Sequence, residues 1–120
     1  MATRDFRKLQ VWSRAHAFTL LIYQALSTFP SEELYGLRSQ LRRAAASIAT
    51  NIAEGCGRGS PAEFGRFLGI ACGSASEVEY QLLLARDLGY LKSNHYEELS
   101  REIVDIRKMI ISYRSKLKNP

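Results

Sequence analysis

Little in this 120-residue chain belongs to the vocabulary of catalysis or metal binding. It has two cysteines, Cys56 and Cys72, with no C-x-x-C pair and no histidine cluster beside them, which argues against both a disulfide framework and a zinc site. His16 and His95 stand alone, and the helical segments carry no Glu-x-x-His pair that a carboxylate-bridged metal centre would need. No Ser/His/Asp or Cys/His set suggests a nucleophile, so the expectation is a non-enzymatic protein without catalytic residues, metal or cofactor. Long apolar runs are missing as well. The best candidate, around Leu20 to Tyr23, is followed at once by Gln24 and Ser27, far short of the roughly 20 residues that span a bilayer. The first residues, Met-Ala-Thr-Arg-Asp-Phe-Arg-Lys, have charge but no apolar stretch leading to a small-residue cleavage site; no membrane association and a cytoplasmic location are expected.

What is present describes a globular chain. Hydrophobic residues make up 46% and charged residues 24%, too apolar for disorder. At 13.6 kDa the chain is expected to form one domain over residues 1–120, with a core of about 8–117 and short basic ends; folding should bury roughly two-thirds of its extended surface. Seventeen Lys and Arg against twelve Asp and Glu leave +5, a balance that favours a polyanionic partner.

The apolar residues repeat with helical period throughout. Val11, Ala15, Phe18, Ile22, Ala25 and Phe29 alternate spacings of four and three, the pattern of a stripe facing a neighbouring helix, and Pro30 ends it. Leu34, Leu37, Leu41, Ala44, Ile48 and Ile52 form a second stripe, with Ser31 as the expected cap and Gly55 as the expected left-handed end, which predicts a helix over about 34–54. Ser60-Pro61-Ala62-Glu63 starts a third helix that runs to about Leu88 before Gly89. A fourth begins near Ser93 and carries Tyr96, Leu99, Ile103, Ile106, Ile110, Tyr113 and Leu117. Short connections make successive helices antiparallel, so the predicted fold is an all-α, antiparallel up-down-up-down four-helix bundle.

Several features could carry function. Gly55-Cys56-Gly57-Arg58-Gly59-Ser60 offers flexible backbone before a helix N-terminus, yet it lacks the lysine and the preceding strand of a phosphate loop and reads as a helix connection. Gly65, Gly69 and Gly73 share one helical face and imply a close backbone approach, either within the bundle or between subunits. Gln40, Arg43, Ser47, Asn51 and Glu54, with Ser74, Glu77 and Gln81 on the next helix, read as a polar layer that fixes helix register, and Trp12 reads as a helix anchor. The cations are unevenly spread. Arg4, Arg7, Lys8 and Arg14 meet one acid, Asp5, while Arg38, Arg42 and Arg43 meet none between Glu33 and Glu54. Arg38 and Arg42 lie one turn apart, Arg4, Arg7 and Lys8 could extend their surface as a mobile arm, and Arg58 adds a donor at a helix terminus. These six are the predicted nucleic-acid-binding residues, with phosphates as the target and little preference for sequence. Arg107, Arg114 and Lys118 form the next group, and Arg43 is expected to matter for stability before ligand contact.

Leu9-Gln10-Val11-Trp12 with Ala15, Phe29-Pro30, the block Tyr35-Gly36-Leu37-Arg38-Ser39-Gln40-Leu41-Arg42-Arg43-Ala44-Ala45, Ser47-Ile48, Asn51-Ile52-Ala53-Glu54-Gly55, and Phe67-Leu68 with Ala71, Gly73 and Ser74 together resemble one family over about residues 5–117. It is the family of four-helix bundle proteins encoded in intervening sequences of bacterial 23S rRNA genes, also labelled S23 ribosomal proteins. The resemblance implies a protein encoded in an rRNA insertion and not a ribosome component. That family looks related to the accessory protein of diversity-generating retroelements, which implies a basic homopentamer with a central channel, nucleic-acid binding and a reverse transcriptase as partner. It brings no catalytic residues. Leu20, Ile70, Leu84 and Met109, which lie off the main stripes, fit burial between subunits.

Overall fold

The four apolar stripes become four helices in a computed structural model that describes residues 4–117. They are α1 (Gln10–Ala25), α2 (Leu37–Cys56), α3 (Pro61–Asp87) and α4 (Ser93–Lys116). No strand occurs among the described residues, and each helix packs on the next while α1 also meets α4, which closes an antiparallel bundle 47 × 23 × 20 Å in extent. The α1 stripe is buried from Val11 through Phe29, and Leu41, Ile48, Ile52, Phe64, Leu68, Val78, Leu82, Ile103, Ile106 and Ile110 join it in one apolar core.

Helix ends show how local chemistry overrides the stripe. The third helix starts as its sequence directs: the Glu63 backbone N–H donates to Ser60 Oγ at 3.1 Å, with Pro61 next to the cap. The Glu63 carboxylate does not complete the box but takes Arg66 instead. α2 departs from expectation at both ends. It starts at Leu37, not Leu34, because Ser31–Glu33 winds into a short 3-10 turn and Glu33 Oε1 accepts from the Leu37 N–H at 2.9 Å. Glu33, not Ser31, supplies the cap. At the other end Gly55 is an interior helical residue. A Cβ there would lie 2.8 Å from Phe64 Cδ1 and 2.9 Å from Phe67 Cβ, so its glycine serves the close approach of α3. The left-handed positions are Gly59 and Gly89, each with φ near 81°.

The connections at one end are tied together. Thr28 Oγ1 donates to the Tyr90 carbonyl at 2.9 Å, the Tyr90 hydroxyl donates to Glu33 Oε2 at 3.0 Å, and the Phe29 and Tyr90 rings pack 5.4 Å apart. At the opposite end the Arg4 N–H donates to the Cys56 carbonyl at 3.1 Å. The mid-bundle polar layer spans α2 and α3. Ser47 and Ser74 hydroxyls meet at 2.9 Å, Asn51 Nδ2 donates back to Ser47, and Gln81 Nε2 donates to Glu77. Arg43 and Gln40 line the exposed groove over Ser47, Ser74 and Glu77, whereas Glu54 lies outside that layer and pairs with Arg58.

Candidate nucleic-acid interface

A protein cation is available to a phosphate only if no carboxylate already holds it. Six of the twelve arginines are held in this way, Arg7, Arg14, Arg58, Arg66, Arg86 and Arg107. Arg14 on α1 reaches Glu102 on α4 at 2.6 Å and Asp105 at 3.7 Å, and the Glu102 hydrogen bond raises the pKa of the guanidinium. Arg107 pairs with Glu79 across α4 and α3 at 3.1 Å, and Arg86 pairs with Asp87. Both helix spacings that favour ion pairs are used at the α2–α3 turn, Arg58 with Glu54 at 2.9 Å and Arg66 with Glu63 at 3.0 Å. The Arg66 hydrogen bond holds the Glu63 carboxyl below its ordinary range.

Of the six predicted residues, Arg7 and Arg58 are held by an acid among the described residues, Arg4 and Lys8 are not, and neither are Arg38 and Arg42. Both sit half-buried on α2, and no Asp or Glu among the described residues comes within ion-pair distance of either, or of the exposed Arg43. The spacing places Arg38 and Arg42 on the same side of the helix. Arg38 also occupies the second position of α2, whose first turn has no acidic residue of its own and whose Leu37 N–H is capped by the Glu33 carboxylate. Two like charges one turn apart cost stability, roughly 0.2–0.5 kcal/mol for the pair.

The terminal basic segment is docked, where a mobile arm was expected. Phe6–Lys8 forms a 3-10 turn capped by Asp5, whose carboxylate accepts from the Arg7 N–H at 3.0 Å and from its guanidinium at 3.1 Å. That backbone N–H is the main cause of a lowered Asp5 pKa. Arg4 lies over the Phe64 ring at 5.0 Å, and Arg58 and Arg66 lie over Phe67 at 5.0 and 4.6 Å. The predicted residues therefore divide. Arg4 and Arg58 gather at the α2–α3 turn, where Arg66 joins them; Arg38 and Arg42 stand about 21 Å away along α2. Lys8 is exposed without an acid partner among the described residues. Arg66 was missed by sequence reasoning, although its i,i+3 spacing to Glu63 and its neighbour Phe67 were visible. In the reserve group Arg107 is neutralised, Arg114 covers Gly69 with its guanidinium 3.1 Å from where a Cβ would be, and Lys118 lies outside the described residues.

Two further surfaces matter. A Cβ added at Gly65 or Gly73 would meet nothing within 4 Å, so only Gly69 in that strip is covered. Close approach of another helix backbone within the bundle is thereby excluded for them. Leu20 and Ile70 are exposed, with Tyr80 and Ile111, whereas Leu84 and Met109 pack partly against the core. Among the described residues no three His, Cys, Asp or Glu side chains converge as a metal site would require, and no helix is long and apolar enough to cross a membrane.

Residues 7–112 match the 23S rRNA-intervening sequence protein family. The chain belongs to that family. A crystal structure of a protein of unknown function from the S23 ribosomal protein family of Bacteroides thetaiotaomicron VPI-5482 is similar to it, with 28% identity and a TM-score of 0.81, over 87% of this chain and 97% of that one. No curated protein matches the sequence. Membership in the 23S rRNA-intervening sequence protein family thus places the fold and the lineage, and the chemistry has to be argued from the surface.

Proposed function

We propose that this member of the family is a non-enzymatic, oligomeric nucleic-acid-binding protein whose primary contact is to phosphates through Arg38 and Arg42. The observation that carries the reading is that Arg38 and Arg42 stand one turn apart on the same side of α2, next to Arg43, with no carboxylate partner among the described residues for any of the three, whereas six of the twelve arginines are each held by one. Two guanidinium groups one turn apart with no acid between them gain when a phosphate arrives. Such binding releases counterions, so affinity falls steeply with salt and varies little with sequence.

The test is an RNA and DNA titration by fluorescence anisotropy over a range of KCl concentrations. Arg38→Glu/Arg42→Glu should weaken both ligands at least tenfold at low salt and flatten the log–log salt slope by roughly 0.7–0.9 for each lost phosphate contact, with helical circular dichroism intact. Unchanged affinity and slope in an assembled variant would move the interface elsewhere. The competing reading, a protein-interaction module, draws on the exposed Leu20, Ile70, Tyr80 and Ile111 and on the open Gly65 and Gly73. These same positions support self-association, with a ring such as a pentamer as the proposed form. Sedimentation showing a dispersed monomer at micromolar concentration would remove it.

A further inference from the structure

The seam between α1 and α2 holds an open cleft of about 400 Å³ that neutralisation of phosphates does not use. Phe6, Trp12 and His16 line one side and Ala46, Ala49 and Ala53 the other. Trp12 and His16, one helical turn apart, stack with centroids 5.0 Å apart and planes within 6° of parallel, and Phe6 meets the indole edge-on at 4.8 Å. An aromatic pair that served only as an anchor would be covered by larger side chains. Here the opposite wall is three alanines and Thr50, with Thr19 beside His16, all small side chains; His16 is exposed and Trp12 is only partly buried, which leaves room for a flat ring. The wall charges select the kind of ring. Among the described residues no acidic side chain lines the cleft. At its Phe6 end the Arg7 guanidinium lies 4.5 Å from the Phe6 ring but is held by Asp5, and the cation left without an acid among the described residues is the exposed Lys8. At its other end the alanine strip of α2 continues, one and two turns on, into Arg42 and Arg38, so that about 16 Å separates Ala53 from Arg42 along the helix.

We propose that this cleft receives an unpaired base of single-stranded RNA or DNA, stacked on the Trp12–His16 pair, with phosphates of the nucleotides further along the strand held by Arg42 at one end and by Lys8 at the other. The inference rests on the nucleic-acid reading above and specifies the form of ligand. A base inside a duplex is already stacked on both faces and cannot enter, whereas any unpaired base presents a π face, which makes the contact tolerant of sequence. Aromatic stacking and a cationic track are the two ingredients of single-strand binding sites, and the seam supplies both.

Trp12 is the only tryptophan, so its fluorescence reports on the cleft directly. Oligo(rU) should quench Trp12 and shield it from acrylamide, and an RNA duplex of equal length should do neither. Ala49→Leu, which fills the cleft from the wall opposite Trp12, should abolish the quench and weaken oligo(rU) roughly tenfold while duplex affinity stays unchanged. Should oligo(rU) bind wild type and Ala49→Leu equally, with Trp12 unquenched, the cleft is no base site and only the phosphate reading survives. If neither oligo(rU) nor duplex binds at low salt, the phosphate reading itself fails and the base site falls with it.

Discussion

The first half of α2 and the turn that follows its second half carry the same residue type to opposite effect. Near the turn, Arg58 and Arg66 each have a carboxylate one turn away and an aromatic ring beneath them; near the start of α2, Arg38 and Arg42 have neither among the described residues. The net charge of +5 says nothing about this division. Whether an arginine is already paired depends on the acids within its reach, at helical spacing for Arg58 and Arg66 and across helices for Arg14 and Arg107, and between Glu33 and Glu54 the sequence has none.

The largest expected effect comes from breaking the turn itself. Gly55→Ala would push a methyl against Phe64 and against the Cβ of Phe67, which cannot swing away; overpacking of this kind costs about 1–3 kcal/mol, read as a lowered midpoint in urea or heat. Phosphate affinity per folded molecule should be unaffected, because Arg38 and Arg42 are remote from it. Next in size is the direct comparison of charge reversals. Arg58→Glu/Arg66→Glu should reduce RNA affinity by much less than Arg38→Glu/Arg42→Glu does, and equal losses would show that ion-paired arginines contribute as much as free ones. A third measurement separates fold from assembly: Gly73→Ala adds a methyl into open space and should stabilise α3 by up to about 1 kcal/mol. A variant that is more helical yet loses its oligomer mass would place Gly73 between subunits.

The turn also has smaller chemical signatures. Burial pushes the Cys56 thiol up and leaves it 2% exposed, so a thiol reagent should label the half-buried Cys72 first and reach Cys56 only on unfolding. The Glu63 carboxyl is held below its ordinary value of 4.5 by Arg66. A depressed folded pKa contributes stability above the ordinary value that is lost as pH falls through the folded one. Arg66→Gln should therefore slightly reduce the fall in thermal midpoint between neutral and acid pH, an effect that added salt should suppress because the pair is exposed.

Much of the bundle was legible because apolar spacing alone decides which residues face inward. All of Val11, Ala15, Phe18, Ile22, Ala25 and Phe29 are buried, and Ser60-Pro61 starts α3 where its cap chemistry dictates. The start of α2 was not legible, since Leu34 keeps the apolar period yet remains exposed once Glu33 caps from below. Gly55 was misread because a glycine near a helix end looks the same in sequence whether it serves a left-handed turn or a close neighbour; only the position of Phe64 and Phe67 distinguishes them. At the interface, the unpaired state of Arg38 and Arg42 followed from the local lack of acids. The cleft beside them did not, because it forms only when the Trp12–His16 turn of α1 meets the Ala46, Ala49 and Ala53 face of a different helix.

The contact of Arg14 with Glu102 joins residues 88 positions apart in the chain, and it belongs to a seam where α1 and α4 leave an open cleft of about 460 Å³. Closing so long a loop costs more chain entropy than pairing α2 with α3 through a short turn, so the hairpin of α2 and α3 should form early and α1 should dock against α4 last. The reverse order governs opening. Under native conditions the amide hydrogens of α1 are expected to exchange through partial undocking at lower free energy than those of α2 and α3. Any ligand bridging the α1–α2 seam would then slow exchange in α1 most of all.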